Sequence, residues 1–396
     1  MRPREDFLVF GAPTITEAEI AEVVDSLRSG WIGTGPKVAR FERMLEAYLD
    51  VPYVRCVSSC TAALFLSMQV LGIGPGDEVL VPAMTFIASA NAVEHTGATP
   101  VLVDSEPDTG LMDLDAAEAA ISPRTKAIMP VHLAGRPVDL DRIAALRDRY
   151  GLLVVEDGAH AIGAEWRGRK IGAHGSPTAF SFYVTKNIST GEGGAIATED
   201  PSVAAEVERL ALHGLSIGAW KRFSDAGFRH YEVVKPGFKY NLTDLAAAMG
   251  LHQLPRLDEW IARRAELWER YDDLLADLPV RTPPEPDAHT THARHLYAVE
   301  VDSDDEGEAR DAVLDALHRR RIGAGVHYRG VHMHPYYRDR YFLQPEQYPV
   351  ATRISHRTLS LPLSPQVTEQ DQDDVVAALA EALADDSVRG AVRTSS

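Results

Sequence analysis

The sequence lacks any hydrophobic run that approaches the ~20 consecutive apolar residues needed to cross a membrane. Its N-terminus, MRPREDFLVFGAP, also lacks the apolar core and the small-residue cleavage site of a secretory signal. We therefore expect no membrane span, no signal peptide and a cytoplasmic location. The 396 residues, 45% hydrophobic and 25% charged, have an ordinary globular composition, with enough apolar material for two domains.

Cysteine is scarce as well. Cys56 and Cys60, in CVSSC, are too few for a disulfide framework, and two thiols alone cannot complete a zinc site. Three histidines, His327, His332 and His334 in VHYRGVHMHPYY, come without a carboxylate or thiolate partner. We therefore expect no metal, two reduced thiols, and either a substrate-contacting loop or ordinary surface histidines at 326–337.

Positive charge is in deficit overall, since the formal net charge is -18. A nucleic-acid duplex is therefore not expected as a partner, because such binding needs a basic face. One stretch, 219–240, is locally basic. It could bind a small anionic substrate, or it could be a solvated loop with uneven charge, and the pattern favours neither. It carries Lys221, Arg222, Arg229, Lys235 and Lys239 against Asp225 and Glu232.

Short apolar strands alternate with helix-like segments along the N-terminal half of the chain. This order is typical of an α/β domain whose parallel sheet is covered by helices on both faces. A T-x-x-E capping box at Thr16 and Glu19 predicts the first helix. We predict a large N-terminal domain at 1–255 and a smaller α+β domain at 256–396 with a frayed polar tail. Strands are predicted for YVRCV, DEVLVP, TPVLVD, TKAIMPVH, GLLVVED and TAFSF.

A pair of carboxylates follows one of these strands, in GLLVVEDGAH. Glu156 and Asp157 stand at its carboxyl end, the edge where ligands bind in open α/β sheets. A buried carboxylate there needs a cationic partner, since an unpaired buried charge is costly. A protonated pyridine nitrogen or an arginine would both serve.

Lys186 lies past the next strand, in SFYVTKNISTGEGG, and is either an ordinary solvated lysine or a nucleophile. A nucleophilic lysine needs a pocket that lowers the pKa of its amine. Ser181 and Thr61, the latter near a helix start, are candidate phosphate ligands. An acid, an amine and an anion site together are what pyridoxal 5'-phosphate (PLP) requires, and the spacing suggests this cofactor.

Six blocks of the chain resemble one family, the DegT/StrS-type sugar aminotransferases, in order from about residue 10 to residue 380. The resemblance implies PLP-dependent transferase fold type I, with a mostly parallel seven-stranded sheet. It also implies a homodimer with shared active sites, and pyridoxamine phosphate as the second form of the cofactor. The blocks are SGWIGTGPKVARFE, SSCTAALFLSMQVLGIGPGDEVLVPAMTFIASANAV, VEDGAHAIGAEWRGRKIG, FSFYVTKNISTGEGG, PGFKYNLTDLAAAMG and VHYRGVHMHPYYR.

The resemblance implies a role for each matching residue. Lys186 would bind the cofactor aldehyde and move protons, Asp157 would hold the pyridine nitrogen, and His160 would lie beside the ring. The remaining cofactor contacts would be Phe86 stacking on the ring, Thr61, Ser181 and the Cys60 amide on the phosphate, and Asn241 reaching the phosphate of the second subunit. The substrate would meet Thr34, Lys221, Arg229, His327 and Tyr328.

Three positions depart from the commoner family pattern: Gly158, Cys60 and the pair Gly330–Val331. None of them removes a group that the chemistry needs, although the last leaves the sugar contacts open. The resemblance implies transfer of an amino group from L-glutamate to a nucleotide-linked 4-keto-6-deoxy sugar, giving a 4-amino sugar.

Four alternatives remain at this stage. Two keep the activity: amination at C3, and amination of a keto-inositol, which the basic stretch disfavours. A sugar dehydratase of the same family would replace the lysine, typically by histidine. A non-catalytic sensory protein of this fold would not need Asp157, Lys186 and the phosphate hydroxyls together. A nicotinamide oxidoreductase is not indicated, because the G-x-G-x-G string at 72–76 precedes its strand.

Overall fold

A computed structural model of the protein describes residues 3–216, 230–303 and 305–385. The helices are α1 (Glu17–Ser29), α2 (Pro36–Leu49), α3 (Cys60–Val70), α4 (Ile87–Thr96), α5 (Leu114–Ala119), α6 (Leu140–Tyr150), α7 (Pro201–Leu210), α8 (Asp244–Gln253), α9 (Leu257–Leu275), α10 (Glu308–Arg319), α11 (Pro335–Tyr341), α12 (Pro349–Arg357) and α13 (Glu369–Leu383). The strands are β1 (Tyr53–Val57), β2 (Glu78–Pro82), β3 (Thr99–Val103), β4 (Thr125–Ile128), β5 (Leu153–Val154), β6 (Glu156–Asp157), β7 (Glu165–Trp166), β8 (Arg169–Lys170), β9 (Thr178–Ser181), β10 (Gly194–Thr198), β11 (Val280–Arg281), β12 (Thr290–Thr291), β13 (Tyr297–Val301) and β14 (Thr358–Leu361).

The central sheet joins two ladders, β1-β10-β9-β6 and β3-β2-β4-β5. Only Val155 separates β5 from β6, and its N–H donates to the Ile128 carbonyl, so the two short strands run as one. The resulting order is β1-β10-β9-β5/β6-β4-β2-β3. Only β10 runs antiparallel to its neighbours, and the other pairs are parallel. The predicted mostly parallel, seven-stranded sheet is confirmed.

One edge of this sheet collects three chain segments. In the ladders Gly194 pairs with both Val57 and Ser181, so the end of β1, the start of β10 and the end of β9 lie side by side. Asp157, the last residue of β6, pairs with Ala179 beside them. Because α3 begins directly after β1, its N-terminus points at the same edge. This is the edge where α/β sheets bind ligands.

The predicted start of α1 is confirmed. The Thr16 hydroxyl accepts from the first turn of the helix, and the Glu19 carboxylate accepts from the Thr16 backbone N–H at 2.8 Å. The helix ends at Gly30, whose φ of 78° is the left-handed conformation that glycine adopts without strain.

Apolar side chains form two cores. The first fills the space between the central sheet and its helices, and the second packs α9, α10 and α13 against the small antiparallel sheet β11-β13-β14. Val331 and Ile354, from the C-terminal part of the chain, return to the first core. The domain boundary near residue 256 remains a prediction, and the predicted frayed tail lies largely outside the described residues. No helix in the described part of the chain is both long and apolar enough to cross a membrane.

Candidate active site

The sheet edge opens into a cavity of about 330 Å³ that gathers most of the predicted site residues. Nine of them line it, brought together from segments far apart in the sequence. They are Cys60, Thr61, Phe86, Asp157, His160, Ser181, Lys186, His327 and Tyr328. The structure therefore assembles in one place the acid, the amine, the hydroxyls and the helix start that were predicted separately.

The Lys186 amine lies in this cavity, and desolvation lowers its pKa to about 8. The Asp157 carboxylate acts in the opposite direction, because a nearby negative charge favours the ammonium form. A pKa near 8 leaves an appreciable neutral fraction at physiological pH. The amine can therefore act as a nucleophile or accept a proton without a separate base.

Asp157 is 5% exposed, and its carboxylate is held from both sides. Oδ2 accepts from the Ser89 hydroxyl at 2.8 Å, and Oδ1 accepts from the Ala159 backbone N–H at 3.1 Å. Burial raises the pKa of Asp157, while these two hydrogen bonds and the charge of Lys186 oppose the rise. A buried carboxylate in this setting can hold a cationic ring nitrogen.

The tautomer of His160 is set by the backbone. Its Nδ1 lies 3.1 Å from the N–H of Ala134 and accepts that hydrogen bond, so the ring proton is on Nε2. Nε2 lies 2.9 Å from the Tyr328 hydroxyl and donates to it. Burial lowers the pKa of His160 well below its usual range, with a further contribution from Lys186, so the ring is neutral. The Tyr328 O–H is then free to donate into the cavity.

The phosphate site predicted at the start of α3 has the expected donors. Ser59 caps the helix by accepting from the Ala62 N–H at 3.1 Å. The N–H groups of Cys60 and Thr61 have no acceptor among residues 3–216, 230–303 and 305–385. Two free N–H groups at a helix N-terminus, with the hydroxyls of Thr61 and Ser181 in the same cavity, are groups that could hold an anion.

Gly194 permits the close approach of β10 to this helix start. A Cβ at position 194 would lie 2.5 Å from the Ser59 carbonyl carbon and 2.6 Å from the Cys60 nitrogen. Both contacts are with backbone atoms, which cannot move aside easily. Glycine at this position is therefore required by the packing of the cavity wall.

His327 and Phe86 line the open side of the cavity. His327 Nδ1 lies 2.9 Å from the Ser360 hydroxyl, and its ring stacks on Phe10. Burial lowers the pKa of His327 to about 4. The Phe86 ring is 54% exposed and its centroid lies 5.4 Å from that of Tyr328, so its free face can cover a planar ligand.

Two predicted residues that the structure describes, Thr34 and Asn241, do not line this cavity. Thr34 and Asn241 contact each other, with Asn241 Nδ2 2.5 Å from Thr34 Oγ1, and both line a separate cavity. Lys221 and Arg229 lie outside the described residues. Within the basic stretch, Lys235 forms an ion pair with Glu206 at 2.5 Å.

Three contributors to the cavity or to its support were missed from the sequence. His295 lines the cavity, with its ring centroid 4.5 Å from that of His160. Its Nδ1 lies 3.1 Å from Asn187 Oδ1, while Asn187 Nδ2 donates to the Ala293 carbonyl. Ser89 supports Asp157. His295 and Ser89 were polar residues inside a predicted strand and a predicted helix, and Asn187 directly follows Lys186 in the glycine-rich turn.

The three histidines at 327–334 do not form a cluster of metal ligands. Instead, His332 Nε2 lies 2.8 Å from the Thr352 hydroxyl. Across the part of the chain that the structure describes, no group of three or more His, Cys, Asp or Glu side chains could hold a metal ion.

Comparisons with known proteins agree with this geometry. Residues 13–380 match the DegT/DnrJ/EryC1/StrS aminotransferase family. The chain is 44% identical over 380 residues to the spore coat polysaccharide biosynthesis protein SpsC of Bacillus subtilis, covering 96% of this chain and 98% of that protein.

Solved structures give the same result. The putative sugar aminotransferase Spr1654 from Streptococcus pneumoniae is 36% identical in its PMP form, with a TM-score of 0.88 over 95% of this chain and 98% of that one. Its PLP form gives a TM-score of 0.87 at the same identity and coverage. DesV from S. venezuelae is 38% identical, with a TM-score of 0.82 over 92% of this chain and 93% of that one.

Proposed function

The chain belongs to the DegT/DnrJ/EryC1/StrS aminotransferase family, and from this membership we propose that it transfers an amino group from L-glutamate to the C4 ketone of a nucleotide-linked 4-keto-6-deoxy sugar. The general activity is established: the protein is a PLP-dependent sugar aminotransferase that uses an amino donor and a sugar acceptor. The predicted family, fold type I and cofactor are confirmed. The donor, the nucleotide and the position of amination belong to the proposal.

The observation that carries the amino-transfer chemistry is the shared cavity of Lys186 and Asp157, whereas the donor, the nucleotide and the C4 position rest on the family resemblance. When bound, PLP supplies an electron sink for the carbon that exchanges its proton. In our proposal the Asp157 carboxylate favours a protonated ring nitrogen. The Lys186 amine, with a pKa of about 8, takes a proton and returns it at Nζ in both half-reactions. The free N–H groups of Cys60 and Thr61 fit the phosphate.

The cavity wall orients the reactants in this proposal. Phe86 covers one face of the cofactor ring, and neutral His160 lies beside it. The Tyr328 O–H, which accepts from His160, donates to an oxygen of the sugar. Tyr328→Phe should therefore raise KM for the keto sugar about tenfold, the effect of one lost hydrogen bond, and leave the glutamate half-reaction unchanged.

Separate measurement of the two half-reactions by stopped-flow absorbance checks this expectation. Tyr336→Phe, at a tyrosine that is 55% exposed, is the matched control. An equal loss in both half-reactions would place the Tyr328 hydroxyl on the cofactor instead of the sugar.

We also infer that the active enzyme is a homodimer with shared sites. Asn241 and Thr34 lie away from the cavity of their own chain, and the resemblance assigns Asn241 to the phosphate of the second subunit. Ile20, Leu27 and Ile32, in and just after α1, expose 47%, 58% and 51% of their surface, which suits a surface covered by a partner.

A mixing experiment tests the shared site. Lys186→Ala and Asn241→Ala should each be inactive at limiting PLP. Statistical exchange of their subunits should restore about a quarter of wild-type activity, because half of the dimers are mixed and each carries one intact site. Activity that stays absent while native mass spectrometry shows mixed dimers would contradict shared sites.

The function itself is tested with ¹⁵N-labelled L-glutamate and a panel of nucleotide-linked keto sugars that carry the ketone at C3 or C4. NMR of the product locates the labelled nitrogen. Label at C4 supports the proposal, whereas label at C3, or on a keto-inositol offered in parallel, replaces it by the corresponding alternative. A PLP absorbance band that does not change when L-glutamate is added points to another donor.

A further inference from the structure

Asp157 is supported by two hydroxyl groups that the sequence did not single out. Ser89, the third residue of α4, donates from Oγ to Asp157 Oδ2 at 2.8 Å. Thr85 Oγ1 lies 2.9 Å from the same Ser89 oxygen. Ser89 is fully buried and Thr85 is 1% exposed, so water does not compete with these contacts.

The direction of each hydrogen bond follows from counting protons. Ser89 has one hydroxyl proton and two acceptors within reach, Asp157 Oδ2 at 2.8 Å and the Phe86 carbonyl at 3.2 Å. The shorter bond, to a charged acceptor, is the stronger one. Thr85 has no other side-chain partner among the described residues, so its proton goes to Ser89 Oγ. The order is Thr85 to Ser89 to Asp157.

We propose that Ser89, oriented by Thr85, is a positioning residue that keeps the Asp157 carboxylate ionised and fixed in the cavity. The inference rests on the proposed role of Asp157 as the partner of the cofactor ring nitrogen. In this inference a fully buried serine affects the reaction through Asp157 and does not itself contact the cofactor.

The need for such a donor follows from the surroundings of Asp157. The titratable groups that face it are Lys186, His132, Cys60 and Tyr328. Burial raises the pKa of Asp157, and the positive charge of Lys186 is one of the influences that oppose this rise. Because Lys186 itself has a pKa of about 8, its positive charge is lost as the pH rises through the range around that value.

Ser89 does not lose its effect in this way, since a hydroxyl donates at every pH in that range. Its place in the first turn of α4 adds to the effect, because the N-terminal end of a helix favours negative charge. The Ser89 hydrogen bond therefore stabilises the anion of Asp157 when the neighbouring amine is neutral.

The test compares Ser89→Ala with wild type by titrating the apoenzyme with PLP across pH and following the absorbance of the bound cofactor. Removing the donor should raise the pKa of Asp157, so that affinity for PLP starts to fall at a pH about one unit higher as the solution is acidified. Thr85→Val, which keeps the side-chain shape, should shift the fall in the same direction by less. Ser89→Thr keeps the hydroxyl and should restore the wild-type curve.

Ser67→Ala is the matched control. Ser67 is a fully buried helical serine whose Oγ has no hydrogen-bond partner in the described part of the chain. The dependence of PLP affinity on pH in Ser67→Ala should be the same as in the wild type. The inference is overturned if the Ser89→Ala and Thr85→Val curves also overlay wild type, or if Ser67→Ala shifts as far as Ser89→Ala. An unchanged affinity in Asp157→Asn would instead contradict the proposed role of Asp157, and so distinguishes the two failures.

Discussion

Lys186→Ala will abolish amino transfer, with kcat reduced by at least about 10³-fold. The variant loses the only amine that lines the cavity within the described residues, and with it both the nucleophile and the proton carrier. Conversion of L-glutamate to its keto acid, followed by a coupled assay, measures the loss. The exposed Lys126 provides the control, since Lys126→Ala should retain full activity.

The pH dependence gives a second measure of the same residue. Below a pKa of about 8 the Lys186 amine is mostly protonated and cannot attack, so covalent capture of PLP by the apoenzyme should speed up with rising pH and level off above about 8. Lys186→Arg should show no capture at any pH. Wild-type capture with a midpoint near 10.5, the ordinary value for lysine, would contradict the perturbed amine.

Asp157→Asn will keep the shape of the site and lose most of its activity, by roughly 10²- to 10³-fold in kcat, the range for one preorganised electrostatic group. The neutral amide cannot favour a positive charge on the ring nitrogen. Single-turnover absorbance measurements with L-glutamate separate this loss from weaker cofactor binding. Asp148→Asn, at an exposed side chain paired with Arg147, is the control.

Although Asp157→Asn should lose activity, its apoenzyme should be at least as stable as the wild-type apoenzyme. Because the folded-state pKa of Asp157 is raised, its contribution to stability is greatest at low pH and is lost as the pH rises through that pKa. At neutral pH the buried charge is therefore a cost, and Tm of apo Asp157→Asn should equal or exceed that of the wild type. A large fall in Tm would mean that the carboxylate is needed for folding.

The residues that line the candidate site could be named from the sequence because several of them lie in compact motifs. A buried strand that runs into Glu156 and Asp157, and a lysine set in a glycine-rich turn, are informative without any contact map. The same holds for the helix start at Cys60, where small polar residues precede an apolar run. These local patterns, joined by the rule that parallel strands end at one edge, indicated Asp157, Lys186, Ser181 and Thr61. The family resemblance added Cys60, Phe86, His160, His327 and Tyr328, and all nine residues line one cavity.

Support from distant parts of the chain was not predictable in this way. His295 and Asn187 meet across 108 positions, and His295 stood inside a segment that reads as an ordinary strand. Ser89 occupies a helix whose composition gives no reason to single out one hydroxyl. The direction of β10 was equally hidden, since a buried strand is apolar whichever way it runs.

That reversed strand has a consequence for Lys186. Ser181 and Gly194 are paired neighbours, so the connection 182–193 leaves the sheet and rejoins it one strand spacing away, about 4.8 Å. The N–H of Phe182 donates to the Gly193 carbonyl, and the N–H of Thr190 donates to the Phe182 carbonyl. If β10 had been parallel to β9, the chain after β9 would have had to run back to the opposite end of the strands before β10 could begin.

Both ends of the connection 182–193, which contains Lys186, are therefore held in place by the pairing of β9 with β10 when the protein folds. The conformational entropy lost in holding the amine is lost once, at folding, instead of at every encounter with a substrate. Donor and acceptor molecules meet a nucleophile whose position is already set.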